Sequence, residues 1–192
     1  MQRSWDNYDA RTSRARPMPE KTDHFLNELP QEASVLDFGA GIGRWAELMA
    51  RARPDLKIDV LDVRANELSA HYDGIPQVRE RMHSSFEEFR AEGREYDGIW
   101  ARSSLFFLPG EQLPPVLDEL CKSLKKDGML EFSFIEPAPD MPHNFYPMTK
   151  LEMQKMLEAA GFTVEAMLDE QSSKYGEQGI PLPTYIVRAR KK

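Results

Sequence analysis

"VLDFGAGIGRW", Val35 to Trp45, decides how this chain is read. Apolar residues run into three glycines at alternate positions, Gly39, Gly41 and Gly43. A short apolar run bounded by glycine predicts a buried strand. The residues that follow, "GRWAELMARA", predict a helix ending before Pro54. Strand, glycine turn and helix together form the first unit of a repeating order.

Downstream the order continues. "KIDVLDV" predicts a second strand, "ANELSAHY" a short helix and "QVRERMH" a more polar strand near a sheet edge. "SFEEFRAEG" predicts a helical turn or two capped by Ser84 or Ser85, and "YDGIWAR" a fourth strand. Leu113, Val116, Leu117, Leu120, Cys121 and Leu124 recur at helical spacing. Pro114 and Pro115 suit the first turn of that helix, Lys122, Lys125 and Lys126 its end, and Gly128 its close. Cys121 falls on the apolar face and reads as core. "MLEFSFIE" predicts the fifth strand, followed by the proline-rich loop "PAPDMPHNFYPM". "TKLEMQKMLEAAGF" predicts a helix with a Thr149/Glu152 capping box and a Met148/Met153 staple. "FTVEAML" and "TYIVRARK", joined by the polar loop "DEQSSKYGEQGIPLP", predict an antiparallel hairpin. Strands alternating with helices imply an α/β, doubly wound, mostly parallel sheet. Ligands on such sheets bind at the carboxyl edge beside the first strand.

The 192 residues suffice for one domain, read here as residues 23–192. Residues 1–22, with Arg3, Arg11, Arg14 and Arg16, read as an N-terminal arm in which Trp5 and Tyr8 can close as a lid. "TDHFLNELP" then predicts a short helix. A formal charge of -7 argues against a nucleic-acid partner, which needs clustered Lys and Arg. No apolar run reaches the roughly 18 residues of a membrane helix, and no apolar signal core opens the chain. A cytoplasmic monomer or homodimer is the expectation. The single cysteine and scattered histidines propose no metal site.

The glycines depart from the dinucleotide register G-x-G-x-x-G, in which the third position would be the bulky Arg44. Asp37, two residues before Gly39, is expected to point a negative charge into the turn. That charge would repel a pyrophosphate and welcome an ammonium. S-adenosylmethionine, a phosphate-free nucleoside with an α-ammonium and a sulfonium, fits. The turn from Gly39 through Ala40 and Gly41 to Gly43 lets backbone approach it. Asp62, nineteen residues after Gly43 at the end of the second strand, is placed to accept the ribose hydroxyls. Val63 follows as a packing surface for adenine, with Ser85 and Phe86 near its edge.

These motifs in order resemble the class I S-adenosylmethionine-dependent methyltransferases, from about Ala33 to the C-terminus. "VLDFGAGIGRW" is similar to that family's first motif and "LDV" to its second. "YDGIWARSSLFFLP", "LKKDGMLEFSF" and "LEAAGFTVE" are similar to its later segments. The resemblance implies a Rossmann-like seven-stranded sheet with strand seven antiparallel between five and six. Within the family the fourth-strand segment resembles the tellurite-resistance-like, small-molecule group. Many members of that group carry a histidine where this chain has Phe107.

Methyl transfer from a sulfonium is an in-line displacement that needs alignment and exclusion of water. The acceptor, expected to be a small molecule, should lie over "ARSSLFF", where Arg102 is placed to hold an anionic group, near Ser104 and Phe107. His143 and Tyr146 on the proline-rich loop are the candidates for a base or substrate contact. Two other readings stand beside this one: a non-catalytic S-adenosylmethionine-binding protein of the same fold, and an NAD(P)-dependent oxidoreductase.

Overall fold

The computed structural model describes residues 23–64, 69–139, 141, 143–175 and 180–192. The expected arm and its Trp5/Tyr8 lid lie outside them. Seven strands form one sheet in the order β3-β2-β1-β4-β5-β7-β6. β1 (Ser34–Phe38), β2 (Lys57–Asp62), β3 (Val78–His83), β4 (Tyr96–Ala101) and β5 (Leu124–Ile135) run parallel. β7 (Ile180–Lys191) is antiparallel to both β5 and β6 (Phe162–Tyr175). This is the doubly wound, seven-stranded sheet expected from the sequence.

Alternation along β1 divides the core. Leu36 and Phe38 join one apolar cluster, and Val35 joins another on the opposite face. The first cluster is covered by α4 (Leu113–Lys122), through Leu113, Val116, Leu117, Leu120 and Cys121, and by α5 (Lys150–Ala159), through Met153 and Leu157. The second lies under α1 (Asp23–Glu28) and α2 (Arg44–Ala52), which contribute Phe25, Leu26, Ala46 and Met49. The short α3 (Ser69–Tyr72) adds Tyr72. β3, half-polar in sequence, stands at the sheet edge, where one solvated face is tolerated.

Two local expectations are corrected, on the end of one helix and on the last loop. α4 stops at Lys122 with Ser123 as its cap: the Ser123 N–H and hydroxyl still donate to the Glu119 carbonyl, at 2.9 and 2.6 Å, but its own carbonyl accepts from Tyr96 N–H of β4 at 2.8 Å. Lys125 therefore sits in β5 and pairs with Asp97 at 2.9 Å instead of closing a helix. "SFEEFRAEG" makes a single turn capped by Ser85, within the turn or two expected: Phe89 N–H donates to the Ser85 carbonyl, and Ser85 and Glu88 cap each other. The polar loop between the last strands is mostly strand: β6 runs to Tyr175 and β7 starts at Ile180. The capping box at Thr149 and Glu152 is present in full.

Candidate functional site

At the carboxyl edge of β1, β2 and β4 lies a cavity of about 290 Å³, near the lower end of the range for small-ligand pockets. Its floor is the turn Gly39–Ala40–Gly41. Gly39 and Ala40 both donate to the Leu61 carbonyl, at 2.8 and 3.0 Å, which pins the turn to the end of β2. Gly39 has φ +84°, and a Cβ there would meet the Ser104 Cβ at 2.5 Å and the Phe86 ring at 3.0 Å. Glycine is thus required for both conformation and space. Gly41 faces open space instead, with nothing within 4 Å of an added Cβ.

Asp62 ends β2 at the cavity wall. Its Oδ2 accepts from Gly41 N–H and its Oδ1 from Arg64 N–H, both at 2.9 Å. Each oxygen keeps a second lone pair for a ligand. Val63, 50% exposed, and Phe86, stacked on Phe38 at 4.7 Å, stand beside it. Across the floor, after β4, come Arg102, Ser104 and Phe107, all lining the cavity. Ser103 between them has a φ of 57° and donates its N–H to Ser133 Oγ at 2.8 Å. A left-handed serine at a cavity wall is backbone strain held by its surroundings.

Five sequence-predicted site residues are not in the wall. Asp37 is the substantive correction. Its side chain is 1% exposed and its Oδ2 accepts from Ala46 N–H at 3.1 Å, in the first turn of α2. Burial, with a smaller contribution from the nearby Asp62 charge, pushes its carboxyl up to about 8. At neutral pH it is mostly protonated, so it neither repels a pyrophosphate nor attracts an ammonium as expected. It holds the helix that follows the turn. Gly43 likewise works from behind: it caps α2 at φ 77°, and a Cβ there would meet the Tyr72 ring at 2.7 Å. Tyr72 in turn donates its hydroxyl to the Gly41 carbonyl. Ser85 is occupied in its own turn with Glu88. His143 is exposed and Tyr146 is 38% exposed. Their loop is fixed by Tyr146 N–H donating to the Phe106 carbonyl at 2.9 Å, and Phe145, not His143 or Tyr146, packs on Phe106 and Phe107.

The wall also contains residues not singled out in the sequence as ligand contacts: Arg44 and Trp45 from the first turn of α2, Arg64 after β2, and Glu87 beside Phe86. For Arg44 and Trp45 the signal was position, since side chains next to a glycine turn at a helix start face whatever the turn holds; Arg64 and Glu87 follow the ends of β2 and β3. Among the described residues no group of three or more His, Cys, Asp or Glu stands together, and no helix is long and apolar enough to cross a membrane.

A model of the methyltransferase domain family matches residues 10–167. The sarcosine/dimethylglycine N-methyltransferase of Aphanothece halophytica is 28% identical over 116 residues, which are 58% of this chain and 40% of that protein. The match thus spans less than half the length of that relative. In structure the chain is similar to the 1,6-didemethyltoxoflavin-N1-methyltransferase of Burkholderia thailandensis, solved with 1,6-didemethyltoxoflavin and S-adenosylhomocysteine. The TM-score is 0.74 at 22% identity, covering 97% of this chain and 83% of that one. It is also similar to a TehB-like SAM-dependent methyltransferase of Corynebacterium glutamicum, with TM-score 0.71 at 15% identity, covering 98% and 94%. At these identities the structural likeness carries the fold.

Proposed function

The chain belongs to the methyltransferase domain family, and on that premise we propose that it binds S-adenosylmethionine in the cavity at the β1–β2–β4 edge and transfers its methyl group to a small molecule. The observation that carries this reading is the end of β2. Asp62 offers free lone pairs on both oxygens, beside the exposed Val63 and over an open glycine floor. That set suits a ribose and an adenine. Ser104 Oγ, buried without a hydrogen-bond partner, marks a further polar contact on the β4 side.

S-adenosylmethionine, when bound, supplies a methyl already activated on a sulfonium. The chain's task is then to orient and to exclude water. Asp62 takes the ribose hydroxyls, Val63 and Phe86 bracket the base, and Phe107 with Leu108 forms the apolar wall near the acceptor. No step is assigned to His143 or Tyr146, which stand outside the wall. Small-molecule acceptors are supported by the relatives' named activities on sarcosine, dimethylglycine and 1,6-didemethyltoxoflavin.

Calorimetric titration with S-adenosylmethionine, S-adenosylhomocysteine and NAD tests the cofactor. Binding of the first two without NAD is expected; binding of NAD alone overturns the reading. A panel of small amines, carboxylates and heterocycles, followed by S-adenosylhomocysteine release, tests the acceptor. Turnover with at least one small molecule is expected, and release that no member raises above background counts against it.

A further inference from the structure

Arg102 is buried in the cavity wall with its hydrogen bonding incomplete. Its side chain is 3% exposed. Nη2 donates to Glu170 on β6. Nη1 stands 3.7 Å from Glu131 Oε1, too far for a hydrogen bond. Nε and Nη1 are both buried without a hydrogen-bond partner, and so is Ser104 Oγ two residues on. Buried polar groups are nearly always satisfied, and a buried charge most of all.

The guanidinium is nevertheless held in place. It lies 5.6 Å from the Trp45 ring centroid and 5.5 Å from that of Trp100, distances at which a cation interacts favourably with an aromatic ring. Beneath it the fully buried Glu131 is bonded by Arg188 at 2.7 Å. Arg188 thus satisfies Glu131 Oε2, while Oε1, buried without a hydrogen-bond partner, faces Arg102 as an ion pair and leaves the guanidinium donors unbonded. A braced guanidinium with spare donors is arranged to receive an acceptor group from the cavity.

Charge across the cavity has a direction. Asp62 and Glu87 belong to the β2–β3 side, where Arg64 Nε stands 3.9 Å from Asp62 and offsets one of the two acids, whereas Arg102 follows β4. Arg44 stacks on the same Trp45, at 5.0 Å. An anion is thus favoured at the β4 end. The acids opposite disfavour a doubly charged phosphate, and a planar singly charged group matches the guanidinium best. We propose that Arg102, with the Ser104 hydroxyl, anchors a carboxylate of the bound molecule at the β4 end of the cavity. The inference rests on the cofactor reading for one of its two sources, the methionyl carboxylate; the other is a carboxylate on the acceptor.

Three proteins decide it: wild type, Arg102→Lys and Arg102→Gln, each checked for folding by circular dichroism and thermal melting. Arg188 still bonds Glu131 Oε2 in the Gln variant; Arg102→Gln/Glu170→Gln, which removes both charges of the Arg102–Glu170 pair, stands in if that variant does not fold. Each is titrated with S-adenosylhomocysteine, with 5′-methylthioadenosine, which lacks the carboxylate, and with glycine and benzoate. The last two are run on both the free and the S-adenosylhomocysteine-saturated protein. If the cofactor supplies the carboxylate, Arg102→Gln weakens S-adenosylhomocysteine about ten-fold or more while methylthioadenosine is unchanged. If the acceptor supplies it, S-adenosylhomocysteine is unchanged and the saturated wild type binds glycine or benzoate, but the Gln variant does not. Folded wild type and Arg102→Gln with equal affinities for every probe overturn the proposal. A wild type that binds no S-adenosylhomocysteine overturns the cofactor reading instead, and the titrations on the free protein still decide the role of Arg102.

Discussion

Two carboxylates flank the glycine turn, and the difference between them is the difference between contact and support. Asp62 lines the cavity, and Asp37 is sealed beneath α2. Replacing Asp62 by Ala should weaken S-adenosylhomocysteine by roughly 1.5–3 kcal/mol, the range for hydrogen bonds to a charged group. Asp62→Asn should lose less, since one acceptor oxygen remains. Calorimetry reads both, and unchanged affinity in Asp62→Ala removes the residue from the site. Asp37 should instead shape stability against pH. Its folded carboxyl titrates at about 8 against 3.8 in the free side chain, because burial penalises the charge. Between those values the folded state holds a proton that the unfolded state has released. The stabilisation is full below about pH 3.8 and is lost as pH rises through about 8. Asp37→Asn stays neutral and can still accept from Ala46. Its urea-unfolding free energy should exceed that of wild type by more than ~1 kcal/mol at pH 8, with the gap closing towards pH 5. A gap independent of pH would show that Asp37 is already ionised in the folded chain.

At the scale of elements, legibility followed local chemistry. The α5 cap was written in Thr149 and Glu152, and the structure makes both halves of it: Glu152 N–H donates to Thr149 Oγ1 at 3.3 Å, and Thr149 N–H to Glu152 Oε2 at 2.9 Å. Thr149→Ala should cost about 1 kcal/mol, lowering the melting temperature by about 2–4 °C. Because Thr149 is not in the cavity wall, S-adenosylhomocysteine affinity should not change; a change would couple α5 to the site. The elements misread were those in which tertiary pairing overrides pattern. β6 is an edge strand, and an edge needs no apolar alternation on its solvent side, so "DEQSSKY" looked like loop. The lysines beyond Lys122 suited a helix end, but the Ser123 carbonyl is taken by Tyr96 N–H and Lys125 by Asp97, both on β4.

Across the whole molecule, sequence order gave the sheet and its ligand edge, because a parallel sheet with helical crossovers leaves few topologies. It also placed Asp62, Val63, Phe86, Arg102, Ser104 and Phe107 in one wall, since each follows a strand end or its turn. Side-chain direction was not legible: Asp37 points under a helix, and Phe145 instead of Tyr146 meets the aromatic wall. Because the cavity joins segments from β1, β2, β4 and α2, a ligand filling it should stabilise the folded chain as a unit. A ligand that binds only the native state adds about 2.7 kcal/mol at one hundred times its dissociation constant. For a domain of this size that raises the melting temperature by about 5–10 °C. S-adenosylhomocysteine should produce such a shift, and NAD at the same concentration should not. At that fixed concentration Asp62→Ala, binding about 12- to 160-fold more weakly, should keep between about half and about a tenth of the shift, since the stabilisation is logarithmic in the ratio of ligand to dissociation constant. A full shift in that variant would place the ligand away from Asp62, and no shift in wild type would show that the native chain does not bind S-adenosylhomocysteine at that concentration.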